Sequence, residues 1–160
     1  MPLVMPLFTE PKRLQAALEF FENYLHVAGI TLGAEPGGLL SRALQDAQNS
    51  VLSDADTPFR FYFIADGKSL VALYDNESLI SKTESLLEWG NGMTDFLPKQ
   101  VKLFADGAVF SQAMQLREDY SDGHGGEWMM DLDVFARAFQ IYWDSDYQIH
   151  VHVNGDKGLD

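Results

Sequence analysis

The chain alternates between two hydrophobic periods, one of three to four residues and one of two. Segments of the longer period predict amphipathic helices whose apolar and aromatic stripes are expected to be core, and short runs of aromatic and β-branched residues predict strands. Helix and strand follow each other four times, with helices in 12–28, 39–52, 77–89 and 132–143 and strands in 30–38, 58–67, 99–107 and 147–153. The opening "MPLVMPLFTEP", residues 1–11, contains three prolines and predicts an extended lead-in. The pattern therefore indicates an α/β protein of parallel β/α units.

Two architectures satisfy this pattern, an open doubly wound sheet and part of a closed (β/α)8 TIM-type barrel. A strand between two helical layers is apolar on both faces. The last two predicted strands instead alternate an apolar set with a partly polar set: Val101, Leu103, Ala105, Ile149, Val151 and Val153 against Lys102, Phe104, Asp106, Gln148, His150 and His152. The partly polar set lies towards the C-terminal strand ends, where barrel enzymes place their chemistry. The alternation therefore favours part of a barrel.

Composition narrows the classes of function. The 160 residues fall within the range of one domain, so 1–160 is interpreted as a single domain, and the 46% hydrophobic content predicts a packed core. The formal net charge of −13 repels phosphate backbones and anionic membranes, so neither nucleic acid nor a membrane is an expected partner. The chain has no cysteine, which excludes disulfides, zinc–thiolate sites and thiol catalysis and is compatible with a cytoplasmic location.

Two motifs carry a resemblance to a known family. "VKLFADGAVFSQ" at 101–112, followed by "VHVNGD" at 151–156, resembles the metal-dependent amidohydrolase superfamily, in particular amidohydrolase group 3, which includes N-substituted formamide deformylase. "HVAGITLGAEPGG" at 26–38 and "TPFRFYFIADG" at 57–67 resemble the second and third barrel strands of that group. The resemblance implies barrel strands two to five. It also implies a divalent metal, expected to be zinc, and hydrolysis of a C–N bond in a small amide or formamide by metal-activated water.

The same resemblance implies site residues. Lys102 matches the fourth-strand lysine that binds metal as a carbamate, and His152 matches the fifth-strand histidine ligand. An ammonium repels a divalent cation, whereas a carboxylated lysine supplies anionic oxygen ligands. The alternatives are an ion pair between Lys102 and Asp106 and a hydrogen-bonded interior role for His152. His150, Asp106 and His124 are interpreted as supporting residues or as parts of a loop that contacts substrate.

The sequence also departs from the family. The HxH motif of the first strand, the sixth-strand histidine and the eighth-strand aspartate have no counterpart in this chain. We therefore expect the isolated chain to bind metal weakly and to hydrolyse nothing. The alternative function is a non-catalytic α/β binding or assembly module that dimerises, and exposed edge strands predict a homo-oligomer in either case. An open flavodoxin-like domain is disfavoured, because no phosphate-cradling glycine loop follows the first strand.

Overall fold

The computed structural model of the protein describes residues 10–160. Within this range there are five α-helices and four strands: α1 Pro11–Val27, β1 Leu32–Pro36, α2 Arg42–Leu52, β2 Arg60–Asp66, α3 Gly67–Leu73, α4 Leu79–Glu84, β3 Thr94–Phe104, α5 Leu132–Asp144 and β4 Gln148–His152. The predicted lead-in falls mainly on residues 1–9, outside the described residues. Pro11 is already the first residue of α1, where its fixed φ and missing N–H suit a helix start.

The four strands form one parallel sheet in the order β1-β2-β3-β4. A doubly wound sheet reverses its strand order at a switch point, and no such reversal occurs among the described strands. Right-handed crossovers between sequential neighbours place the helices on one face. The result is an α/β half-barrel, and this confirms the predicted class of parallel β/α units.

The core lies between the sheet and its helices. On the helix-facing side, Phe61 and Phe63 of β2 and Val101 and Leu103 of β3 are buried in one apolar cluster. A Cβ at Gly33 of β1 would come within 2.8 Å of the Phe61 ring, so the missing side chain lets this aromatic pack there. The opposite side of the sheet has no helical layer in the part of the chain that the structure describes. We call this side the open face.

The third helical segment differs from its prediction. The single helix expected over 77–89 is α4 followed by a 3-10 turn, Ser85–Trp89, and the additional helix α3 was not predicted. Helix α3 begins directly after β2, because the Asp66 carboxylate accepts from the backbone N–H groups of Lys68 and Ser69. This cap was not recognised because Asp66 and Gly67 were predicted as the last residues of the strand at 58–67.

Strand β3 is longer than predicted and is irregular in its middle. It begins at Thr94, and its pairing with β2 jumps from Phe63↔Phe96 to Ala65↔Val101. Pro98 has no N–H for the ladder, and Lys99 has a φ of 55°. The bulge explains why the predicted strand begins only at residue 99.

The two terminal helices are less buried than their apolar stripes predicted. Tyr24 of α1 is 62% exposed and Trp143 of α5 is 64% exposed, whereas Tyr142, the neighbour of Trp143, is fully buried. The expectation that these aromatic stripes are entirely core is therefore wrong. Both helices flank edge strands, β1 and β4, and the exposed side chains lie where no further element packs within residues 10–160. None of the described helices combines the length and the apolar content needed to cross a bilayer.

Candidate functional site

The two predicted ligands lie on one face of the sheet. In the β3–β4 ladder Lys102 pairs with His150, and Phe104 pairs with His152. Directly paired residues of parallel strands point to the same side, and residues two apart on a strand share that side. Lys102 and His152 therefore lie on the open face of adjacent strands, close to the C-terminal strand ends, and both are half-buried.

Lys102 is half-buried and has no carboxylate partner among the described residues. None of the described carboxylates lies within 4.0 Å of its Nζ, so the alternative of a Lys102–Asp106 ion pair is wrong. The Nζ lies 5.2 Å from the ring centroid of Phe104, and a Cβ at Gly37 would lie 2.7 Å from Lys102 Cγ. Burial lowers the pKa of Lys102 below its ordinary value of 10.5. More of the neutral amine, the form that can accept CO2, is present at a given pH.

His152 is hydrogen-bonded within the loop that follows β4. Its Nε2 lies 2.8 Å from Asn154 Nδ2, and the same amide nitrogen donates to the Gly107 carbonyl oxygen at 3.1 Å. The imidazole also lies against Phe104, with ring centroids 5.8 Å apart. His152 thus has the contacts of a hydrogen-bonded interior histidine on the face where a ligand is predicted. Sequence reasoning missed Asn154, because the predicted strand ends at residue 153 and Asn154 was assigned no role.

Asp106 joins the loops after β3 and β4. Its carboxylate is fully buried and accepts from three backbone N–H groups, those of Gln115 at 2.9 Å, Asn154 at 2.8 Å and Gly155 at 2.7 Å. Burial raises the pKa of Asp106, but these three hydrogen bonds and the nearby imidazole of His152 outweigh that effect, and the net pKa is lowered from 3.8. Asp106 therefore holds an anionic charge that fixes the backbone beside His152.

The other two predicted site residues have partners of their own. His150 lies on the open face and its Nε2 is 2.9 Å from Gln100 Oε1. His124 lies in the long loop after β3, where its Nδ1 bonds Asp122 and its Nε2 lies 3.1 Å from the Gln112 carbonyl oxygen. Its ring stacks on Tyr120 at 4.6 Å. Every described polar partner of His124 belongs to its own loop, so its predicted contact with substrate stays a prediction.

The open face can supply part of a metal site. Lys102 and His152 together offer two donors of types that divalent metals accept. Across residues 10–160 there is no cluster of three or more His, Cys, Asp or Glu residues arranged to hold a metal ion. A zinc site takes four ligands, of which protein side chains supply at least three. Lys102 and His152 are therefore compatible with a divalent metal, but they form only part of a ligand set, and further donors are needed to complete it.

Comparisons with known proteins agree with the architecture. No family model matches the sequence, and no curated protein matches it. The fold is similar to crystal structures of uncharacterized metal-dependent hydrolases from Pyrococcus horikoshii OT3 and Pyrococcus furiosus, each with a TM-score of 0.63, at 18% and 21% sequence identity. The alignments cover 94% of this chain but only 29% and 30% of those two chains. The chain thus corresponds in fold to slightly less than one third of each of these two proteins.

Proposed function

We propose that this chain contributes part of the active site of a metal-dependent hydrolase of the amidohydrolase type. The reaction would cleave a C–N bond of a small amide or formamide, and the complete architecture would be a (β/α)8 barrel. The single observation that carries the proposal is the position of Lys102 and His152 on one face of adjacent parallel strands, at their C-terminal ends. The names of the two similar structures support a hydrolase in general terms.

Three residues of the open face have a role in this proposal. Lys102, with its lowered pKa, supplies either a neutral amine or, after carboxylation, two oxygen donors. His152 supplies a ring nitrogen. Phe104 would cover part of both, because its ring lies beside the imidazole and beside the amine. A bound divalent metal would lower the pKa of water and polarise the scissile carbonyl. The remaining donors and the general base would come from outside this set of residues.

Metal titration of the chain tests the ligand assignment. We expect zinc, followed by calorimetry, to bind with a Kd above about 1 μM, because two donors are fewer than a zinc site requires. His152→Ala and Lys102→Ala should each abolish this binding. His26→Ala, a substitution of an exposed histidine on α1, is the matched control and should leave it unchanged. Binding that persists in both open-face variants would contradict the assignment.

Carboxylation of Lys102 has its own readout. Incubation with 13C-bicarbonate at alkaline pH should give a carbamate resonance in the carbon NMR spectrum. Lys102→Arg should remove it, because a guanidinium stays protonated and does not react with CO2. Lys99→Arg is the control, since Lys99 is on the same strand but bonds Glu84 at 2.9 Å. A carbamate signal that survives Lys102→Arg would place the modification elsewhere.

A second function, an assembly module without catalysis, is favoured by one observation. The exposed aromatic residues of α1 and α5 lie along the two edges of the sheet, where a second copy could pack. This function requires self-association but no metal. The metal titration and the oligomeric state therefore distinguish the two proposals.

A further inference from the structure

We propose that Asn154 holds His152 as the neutral tautomer protonated at Nδ1 and thereby lowers the affinity of this imidazole for metal. The metal part of this inference rests on the proposed function, whereas the tautomer part does not. Asn154 belongs to no predicted ligand set, and its role follows from two hydrogen bonds of its side-chain amide.

The orientation of the Asn154 amide is fixed by the Gly107 carbonyl. A carbonyl oxygen only accepts, so the amide atom 3.1 Å from Gly107 O must be the NH2 group. The same nitrogen lies 2.8 Å from His152 Nε2 and directs its second hydrogen there. Nε2 must then present its lone pair, and the single proton of the neutral ring must reside on Nδ1.

Neither ring nitrogen of His152 can bind a metal while the Asn154 amide keeps its hydrogen bonds to His152 Nε2 and to the Gly107 carbonyl. Binding through Nε2 displaces the amide hydrogen that occupies the lone pair. Binding through Nδ1 moves the ring proton to Nε2, where it would face the Asn154 NH2 group donor to donor. The amide would then have to rotate and present its oxygen, which loses the hydrogen bond to Gly107. Ligating histidines normally donate their second ring N–H to an acceptor. Asn154 presents a donor instead.

The backbone around Asn154 keeps the amide in place. The Asn154 N–H donates to Asp106 Oδ1 at 2.8 Å, and the next N–H, of Gly155, donates to Asp106 Oδ2 at 2.7 Å. A Cβ at Gly155 would lie 1.9 Å from the Gln115 carbonyl oxygen, so the chain passes directly over that loop. The side chain of Asn154 is therefore attached to a fixed backbone. Its amide cannot move away without breaking the hydrogen bonds to the Gly107 carbonyl and to His152 Nε2.

Nitrogen NMR of histidine-labelled protein tests the tautomer. At about pH 8, above the ordinary histidine pKa, long-range 1H–15N spectra should show His152 protonated at Nδ1. In Asn154→Ala this preference should be lost, and in Asn154→Asp, whose carboxylate accepts, the proton should move to Nε2. Gln148→Ala, a change at an exposed residue of the same strand, is the control and should leave the His152 spectrum unchanged. An Nε2-protonated His152 in the unaltered protein would overturn the inference.

Zinc titration of the same variants tests the consequence. Asn154→Ala should bind zinc about threefold to tenfold more tightly than the unaltered chain, the range given by one hydrogen bond of ordinary net strength. The gain should vanish in the Asn154→Ala/His152→Ala double variant. If the unaltered chain and Asn154→Ala bind zinc with equal affinity, and this binding still depends on His152, the inference is overturned and the proposed function stays intact. Binding that is independent of His152 in every variant would remove the ligand assignment, and the NMR result alone would then decide the tautomer.

Discussion

Phe104 and His152 are direct partners in the β3–β4 ladder, and their ring centroids lie 5.8 Å apart. The Nζ of Lys102 lies 5.2 Å from the centroid of the same Phe104 ring. One aromatic side chain therefore lies beside both candidate ligands and covers part of each. Partial burial favours the neutral amine of Lys102 over its charged form. The neutral amine is the state of Lys102 that can bind a metal or react with CO2.

Asp106→Asn should destabilise the chain by about 3 kcal/mol. The amide keeps the shape of the carboxylate but removes the charge that three backbone N–H groups share, and its NH2 group must face at least one of these donors. The free energy of unfolding in urea measures the effect. Asp56→Asn, at an exposed carboxylate, is the matched control and should change it by less than about 0.5 kcal/mol.

The contribution of Asp106 should also depend on pH with a definite sign. Its folded-state pKa is lower than the ordinary 3.8, so its stabilisation is fully present above the unfolded pKa and is lost as the pH falls through the folded pKa. The stability difference between the unaltered chain and Asp106→Asn should therefore be constant near neutral pH and shrink below about pH 4. A difference that grows on acidification would contradict the assignment of an anionic Asp106.

The pKa of His124 should lie above 6.5 and depend mainly on Asp122. The hydrogen bond to Asp122 and then the one to the Gln112 carbonyl favour the protonated ring. Its contribution to loop order is therefore present below pH 6.5 and lost as the pH rises through the folded pKa. Proton NMR of the imidazole should give a lower pKa in Asp122→Asn and a smaller change in Asp119→Asn, because Asp119 acts only through its charge. Equal effects of the two substitutions would be inconsistent with this geometry.

The sequence predicted most of the scaffold and less of the site. Strand alternation around Lys102 and His152 indicated which side chains share a face, because that period is local to each strand. The partner of each side chain depends on residues brought together by the fold. Asn154 meets the Gly107 carbonyl only because two loops converge on Asp106, and no local pattern encodes that meeting. Exposure of Trp143 was missed for a similar reason, since a stripe shows which helix face is apolar but not whether a neighbour covers it.

Two adjacent glycines in the loop after β3 should respond very differently to alanine. A Cβ at Gly126 would lie 1.9 Å from the Met114 carbonyl oxygen, whereas the nearest atom to a Cβ at Gly125 is 3.8 Å away. Gly126→Ala must displace backbone and should lower the free energy of unfolding by on the order of 2 kcal/mol. Gly125→Ala should be neutral or stabilising by up to about 1 kcal/mol, because it restricts the unfolded chain. Equal effects in urea denaturation would mean that the loop does not pack as described.

The exposed edges of the half-barrel predict self-association. Tyr24 and Trp143 lie beside the two edge strands, and covering them gains apolar burial, while the net charge of −13 on each copy opposes contact. Salt screens that repulsion, so sedimentation should show a mass above 18.0 kDa that increases between about 0.05 and 0.5 M salt. Tyr24→Lys with Trp143→Lys should restore the monomer. Leu73→Lys, at an exposed residue of α3 away from both edges, should not. A monomer at every salt concentration would mean that Tyr24 and Trp143 remain exposed to solvent and do not mediate self-association.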